Sequence, residues 1–127
     1  MAPLVALILA LAAGACTGDE PVGQLTDSTC PPTAAPTYAS FASAFFGSYC
    51  LACHSDRKTG VERAGAPPTI DFDTLALVRE NTSRIDQQAA FGAMIHNRLM
   101  PPATALTFPT DDERFQLGQF IACLVGR

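Results

Sequence analysis

A run of five residues sets the strongest limit on how this 127-residue chain can fold: Cys50-Leu51-Ala52-Cys53-His54. In one helical turn, sulfurs three positions apart point to the same side, and the adjacent imidazole projects beside them. Two thioether bonds can then hold the two vinyl groups of a haem while the imidazole reaches the iron. The run therefore predicts one covalently bound haem c, attached through Cys50 and Cys53, with His54 as an iron ligand.

Other uses of a Cys-x-x-Cys pair fit the chain less well. A zinc site would need two more ligands at matching spacing, and the chain has no second such pair. A thioredoxin-like redox pair would need a strand–helix setting, which this helical pattern lacks. A disulfide between two cysteines so close in sequence would stabilise the fold little. The histidine directly after the second cysteine favours haem.

With this motif and a later Met-Pro pair, residues 37 to 127 resemble a small class I c-type cytochrome. The resemblance implies an all-α, cytochrome c-like domain over residues 38–127, wrapped around one covalently attached haem. It also implies that His54 is the proximal iron ligand and that Met100, followed by Pro101, is the distal ligand. A neutral thioether ligand favours ferrous iron and so raises the reduction potential.

Two residues shortly before Met100 compete with it as the distal ligand. Met94 is expected inside a helix, as a core or surface residue. His96 would give a bis-imidazole haem of lower potential, but it lies four positions before Met100 on the same predicted helix. The alternative to a ligand role for His96 is a position at the haem edge or facing solvent.

Few Val and Ile residues and no alternating apolar run make a sheet-based core improbable, so the pattern predicts an all-α domain. The first helix is expected from about Tyr38 into the motif, because apolar residues recur there every three or four positions. A second helix is expected to open at Asp71 or Asp73 and to run to about Asn81.

Capping patterns predict two further helices. Ser83 with Asp86 fits a capping box, and the helix it opens should stop before Pro101, because the residue ahead of a proline is pushed out of helical geometry. Thr110 with Glu113 fits a second capping box for the last helix. By the same family resemblance, Gly47 and Gly118 are candidates for a close crossing of the first and last helices.

An apolar leader precedes the domain. Residues 4 to 13 are apolar, too few to span a bilayer as a helix, and Cys16 follows a run of small residues. The segment resembles a bacterial lipoprotein signal, which implies a signal peptide over residues 1–15 and a lipid on Cys16; plain secretory cleavage is the alternative. Residues 16–37 then read as a lipidated, flexible, Pro-rich tether. The chain is thus expected to be exported and held on a membrane, facing the bacterial periplasm or the cell exterior.

Two of the five cysteines have no predicted role in lipid or haem attachment. With one of the five assigned to lipid and two to haem, Cys30 and Cys123 remain. An even remainder in an exported protein suggests that these two form a disulfide, which would join the tether to the last helix.

The remaining composition narrows the function. A net charge of −4 without a basic cluster argues against nucleic-acid binding. The sequence contains no paired carboxylates, no Ser/His/Asp set and no phosphate-binding loop that would indicate an enzyme. With both axial positions filled, the domain is expected to be a one-electron carrier between redox partner proteins. The alternatives are a sensor or catalytic haem domain with an open sixth position, and a subunit fixed on a membrane dehydrogenase or oxidase.

Overall fold

The computed structural model describes residues 22–127, so the leader and Cys16 lie outside the described residues. Four α-helices are present: α1 Ser43–Tyr49, α2 Leu75–Glu80, α3 Thr82–Ala89 and α4 Asp111–Val125. A π-helical turn, Tyr38–Ala42, leads directly into α1, and a 3-10 turn, Gly60–Arg63, lies in the following loop. Over these residues the fold is helical without a strand, and one isolated antiparallel bridge joins Phe91 to His96. No helix in this part of the chain has both the length and the apolar character needed to cross a membrane.

The first helix begins where the sequence predicts. Thr37 caps the π-helical turn, since its hydroxyl accepts a hydrogen bond from the Ser40 N–H at 3.0 Å. The helical stretch then continues through α1 to Tyr49, immediately before Cys50. Phe45 and Phe46 are buried, and their rings meet edge to face at 5.7 Å. The aromatic stripe thus forms one side of the hydrophobic core.

The last helix is also confirmed. Thr110 accepts from the Glu113 N–H at 3.2 Å, and the Glu113 carboxylate accepts from the Thr110 N–H at 2.8 Å, which completes the predicted capping box. Leu117, Phe120 and Ile121 are fully buried against the α1 aromatics and the residues of α2 and α3. The N-terminal end of α4 is also linked to the end of α1, because the Tyr49 hydroxyl donates to the Glu113 carboxylate at 3.0 Å.

The middle helices differ from the prediction. The α2 helix begins at Leu75 with Thr74 as its cap, because Asp71 and Asp73 are engaged in the preceding loop. The α3 helix has Asn81 at its N-cap position, without a side-chain capping bond, and ends at Ala89. The predicted capping box of Ser83 with Asp86 and the predicted continuation of the helix to the residues before Pro101 are both wrong.

Packing around the α3 end explains its early stop. Ala90 is extended, and a Cβ on Gly92 would lie 2.2 Å from the Thr26 carbonyl oxygen. The chain at Gly92 therefore lies so close to the Thr26 backbone that a side chain would not fit there. This close contact is made by an extended chain and not by a continuation of α3. Gly118 has a similar role, since its Cβ would lie 2.3 Å from the Phe91 carbonyl oxygen, whereas Gly47 faces open space. Neither glycine is therefore the close crossing point of the first and last helices that the family resemblance suggested.

Residues 22–37, called here the N-terminal strap, lie against the helical domain. Thr26 is buried and donates twice to the fully buried Asp86: from its N–H at 3.0 Å and from its hydroxyl at 2.6 Å. Cys30 and Cys123 form the disulfide expected from the cysteine count, with their Cα atoms 4.6 Å apart. This packing differs from the expectation of a flexible tether, because the strap is fixed to α3 and α4.

Candidate functional site at the Cys50–His54 turn

The two motif cysteines share one tight turn at the end of α1. The N–H groups of Cys53 and His54 both donate to the Cys50 carbonyl, at 3.1 and 2.9 Å. Both cysteines are free thiols and half-buried. Burial raises the pKa of the Cys50 thiol to about 12, although the nearby Arg114 charge acts in the opposite direction. The turn therefore places two free thiols and one imidazole within five residues, as the motif requires.

The His54 ring is held in a defined orientation. Its Nδ1 lies 2.9 Å from the Ile70 carbonyl oxygen, which can only accept, so Nδ1 carries the proton and donates. In that tautomer Nε2 has the lone pair, which is the form that a metal-ligating histidine needs. The ring also packs beside Phe72, with centroids 5.0 Å apart, and the Phe72 N–H donates to the His54 carbonyl at 3.1 Å.

A buried arginine fixes the loop that carries Ile70. Arg63 is 4% exposed and pairs with Asp71 at 2.8 Å. Its guanidinium also donates to several backbone carbonyls, including those of Ser55 at 2.8 Å and Ile70 at 3.2 Å. The carbonyl that orients His54 is therefore itself held in place. Sequence reasoning missed this role, because nothing near Arg63 in the sequence distinguishes it from a surface arginine.

Asp73 anchors the start of the same loop. It accepts from the Ser55 hydroxyl at 2.7 Å and from the Asp56 N–H at 2.8 Å. Burial pushes the pKa of Asp73 upward, but these hydrogen bonds and the charge of Arg57 outweigh it, so the pKa lies below its ordinary value. Arg57 itself is exposed, and its ion pair with Asp73 is long at 3.5 Å.

Met100 lies in the segment that follows α3, before a cis peptide bond to Pro101. Its N–H donates to the Gln88 carbonyl at 2.8 Å, and its own carbonyl accepts from Arg114 at 2.9 Å. Met100 and Cys50 are both partly buried against the same hydrophobic core. The structure therefore brings the predicted distal residue and the thiol turn to one core.

The two competing ligands lie elsewhere in that segment. Met94 is 88% exposed and is not the core residue that one prediction allowed. His96 stacks on Phe91 with centroids 4.4 Å apart and planes 13° from parallel, and it meets Phe115 edge to face. His96 is thus engaged in an aromatic group that involves α4.

Arg114 is the second buried arginine near the site. It is 2% exposed, and one of its terminal nitrogens donates to the carbonyls of Ala89, Asn97 and Met100. Its Nε is buried and finds no acceptor among residues 22–127. Burial lowers the pKa of Arg114, and the neighbouring Arg98 lowers it further.

The chemistry of these residues fits a haem c. Two thiols in one turn can form the thioethers, the His54 tautomer suits iron, and Met100 offers a neutral sulfur ligand. The unpaired Nε–H of Arg114 suits an acceptor, such as a carboxylate, that the described residues do not supply. Among residues 22–127, no three His, Cys, Asp or Glu side chains are grouped to hold a metal ion, those of the Cys50–His54 turn included.

Two cavities, of about 280 and 440 Å³, open on the described surface. Neither is lined by the four predicted haem residues. The larger cavity is lined by Ile70 and Gln88, whose carbonyls bond to His54 and Met100, and by polar residues of α2 and α3.

Comparison with known proteins adds no relative. No protein-family model matches the chain, and neither the curated proteins nor the solved structures contain a match. The function is therefore argued from this chain's own residues.

Proposed function

We propose that this chain is a small c-type cytochrome that carries one electron between redox partner proteins. Cys50 and Cys53 would hold one haem c by thioether bonds, and His54 and Met100 would be its axial ligands. The observation that carries the proposal is the 2.9 Å contact between His54 Nδ1 and the Ile70 carbonyl in a chain whose two motif thiols share the same turn. A histidine held in this way presents Nε2 as a ligand.

When bound, the haem would supply an iron that alternates between its ferric and ferrous forms. The protein's part is to hold the two ligands and to keep water away from them. Phe72 packs on the His54 ring, and Arg63 fixes the carbonyl to which that ring bonds. Met100 is bonded through both its N–H and its carbonyl, which fixes its backbone. Rigid ligands limit reorganisation during electron transfer and so keep transfer fast.

The choice of Met100 over His96 rests on their surroundings. The backbone of Met100 is fixed beside the core that also contacts Cys50. His96 stacks on Phe91 and meets Phe115 edge to face, and its imidazole would have to leave both rings to reach an iron. A methionine ligand implies a higher reduction potential than a bis-imidazole site.

The place of action is part of the proposal. Thioether attachment keeps a cofactor from escaping in an extracytoplasmic space, and the disulfide between Cys30 and Cys123 suits an oxidising compartment. Together with the lipoprotein-like leader, this supports export and a lipid anchor on Cys16, which the mass of the mature N-terminal peptide would test.

The haem is tested by producing the full chain in a host with cytochrome maturation. We expect a coloured protein whose mass includes one porphyrin and whose pyridine haemochrome is that of haem c. The Cys50→Ala/Cys53→Ala variant should lose the covalent mass, whereas Cys30→Ser, the matched control, should keep it. A colourless wild-type protein without the added mass would overturn the proposal.

The axial ligand is tested on the same protein. The ferric wild type should show the weak near-infrared charge-transfer band of a Met–iron bond. Met100→Ala should remove that band and let carbon monoxide bind the ferrous form, while Met94→Ala and His96→Ala should leave it unchanged. Ready binding of carbon monoxide to the wild type would instead favour a sensor or catalytic domain with an open sixth position. Copurification with a dehydrogenase or oxidase after mild detergent extraction would identify a fixed subunit.

A further inference from the structure

One side chain contacts several points of the segment that carries Met100. Arg114 lies in the first turn of α4, and its Nη1 donates to Ala89 at 2.8 Å, Asn97 at 3.2 Å and Met100 at 2.9 Å. These three carbonyls come from the last residue of α3, the middle of the following segment and Met100 itself. A single guanidinium group therefore joins both ends of the segment to α4.

The backbone of Arg114 adds a fourth contact to this segment. Its carbonyl accepts from the Phe91 N–H at 3.0 Å, and its guanidinium lies 5.7 Å from the centre of the Phe91 ring. Phe91 is fully buried. Arg114 thus makes four hydrogen bonds between α4 and residues 89 to 100, and the exposed Arg98–Asp111 ion pair adds a contact through other residues.

Such a buried charge is costly for a purely structural contact. The Arg114 side chain donates its hydrogen bonds within the described residues to neutral carbonyls only. Removing a charge from water without a carboxylate partner is energetically costly, and apolar residues of similar size often stabilise a core better. Arg63, in contrast, pairs its buried charge with Asp71. The Asp111 charge acts favourably on Arg114, but no carboxylate among the described residues accepts a hydrogen bond from its side chain, which lies beside the residue proposed as the iron ligand.

We propose that Arg114 is a positioning residue, which holds Met100 as the distal iron ligand and whose positive charge raises the reduction potential. The first effect follows from its bond to the Met100 carbonyl, since a ligand whose backbone is fixed dissociates less readily. The second follows from Coulomb's law, since a buried positive charge disfavours the more positive ferric site. This inference rests on the proposed function.

The experiment compares Arg114→Lys and Arg114→Gln with the wild-type haem protein. Lysine keeps the charge but cannot reproduce the fixed fork of an arginine, and glutamine loses both. Arg98→Gln is the charge control: Arg98 lies over the Phe91 ring and pairs with the exposed Asp111, yet is not bonded to Met100. Ile121→Val is the stability control, because it trims a buried residue of the same helix.

Three readouts separate positioning from stability: the ferric near-infrared band, the affinity of the ferric protein for added imidazole, and the reduction potential. Both Arg114 variants should weaken the band and bind imidazole about tenfold more tightly, since one charge-assisted hydrogen bond is worth roughly that factor. The potential should fall in Arg114→Gln and fall less in Arg114→Lys. Both controls should match the wild type in the band and in imidazole affinity.

Other results would overturn the inference. If the wild type shows the band and both Arg114 variants keep it with unchanged imidazole affinity, Arg114 does not position Met100, and the proposed function still stands. If neither variant folds by its helical circular dichroism, Arg114 is a residue of core stability and the inference fails. If the wild type itself lacks the band, the proposed Met100 ligand and this inference both fail.

Discussion

The contact between Thr26 and Asp86 predicts a measurable stability for the N-terminal strap. Replacing Thr26 with Val removes the hydroxyl that donates to Asp86 Oδ1 at 2.6 Å, while the Thr26 N–H can still donate to Oδ2. Asp86 is fully buried, and its one described ion pair is a long contact of 3.5 Å from Arg127 to Oδ2. Oδ1 would therefore lose the hydrogen bond that the structure gives it.

The expected cost follows from the charge on the acceptor. A hydrogen bond to a charged group is worth about 1.5–3 kcal/mol, and valine has nearly the shape of threonine, so little cavity cost is added. We expect Thr26→Val to lower the free energy of unfolding by about 2 kcal/mol. For a domain of this size, that corresponds to a fall in Tm of roughly 8–16 °C.

The assay is urea unfolding followed by helical circular dichroism, in which the midpoint should fall without a change in slope. Thr107→Val is the matched control, since Thr107 is exposed and donates at 3.2 Å to the Ser48 carbonyl; it should stay within about 0.5 kcal/mol of the wild type. The double variant Thr26→Val/Asp86→Asn should show a coupling of at least about 0.5 kcal/mol. A Thr26→Val midpoint equal to that of Thr107→Val would refute the docking of the strap through Asp86.

Three further predictions concern other parts of the fold. Cys30→Ser/Cys123→Ser should lower the free energy of unfolding by about 4–5 kcal/mol, the loop entropy for a sequence separation of 93, and an equal stability of the oxidised and reduced wild type would contradict this. Gly118→Ala should cost about 1–3 kcal/mol because its Cβ would meet the Phe91 carbonyl, whereas Gly47→Ala should not destabilise, as thermal melts would show. The pKa of Asp73 is depressed, so the stabilisation that it provides is present above its ordinary pKa of 3.8 and is lost as the pH falls through the lower folded value. In acid, the free energy of unfolding should therefore fall with pH in the wild type, and this part of the pH dependence should be absent in Asp73→Asn.

Local patterns predicted the parts of the fold that depend on neighbours in sequence. The capping box of Thr110 with Glu113 is such a case, because both partners lie within one helical turn. The helical stretch up to Cys50 followed from the spacing of its aromatic residues. The disulfide could also be expected, since only Cys30 and Cys123 were left after the other cysteines had been assigned.

Contacts between distant residues were out of reach of these patterns. The spacing of apolar residues from Ile85 to Leu99 fits a helix, yet α3 ends at Ala89 because Gly92 packs on the Thr26 backbone. Ser83 and Asp86 match a capping box, but the Asp86 carboxylate bonds to Thr26, sixty positions away. Tertiary contacts override local propensity in both cases.

The candidate site divides in the same way. The Cys50–His54 run and Met100 could be singled out from the sequence, because residue type and short spacing are enough to indicate their chemistry. The supporting arginines could not, since Arg63 and Arg114 act through backbone carbonyls of other segments. A buried arginine has no local signature that separates it from an exposed one.

The docked strap limits how far the domain can stand from a bilayer. If Cys16 carries a lipid as proposed, Thr26 is the first strap residue with a buried side-chain anchor, ten positions later. A fully extended chain of that length reaches about 35 Å, against about 75 Å if the free span continued to Tyr38. The domain would therefore remain within roughly its own diameter of the lipid headgroups. An electron donor or acceptor would have to meet it there, at the membrane surface.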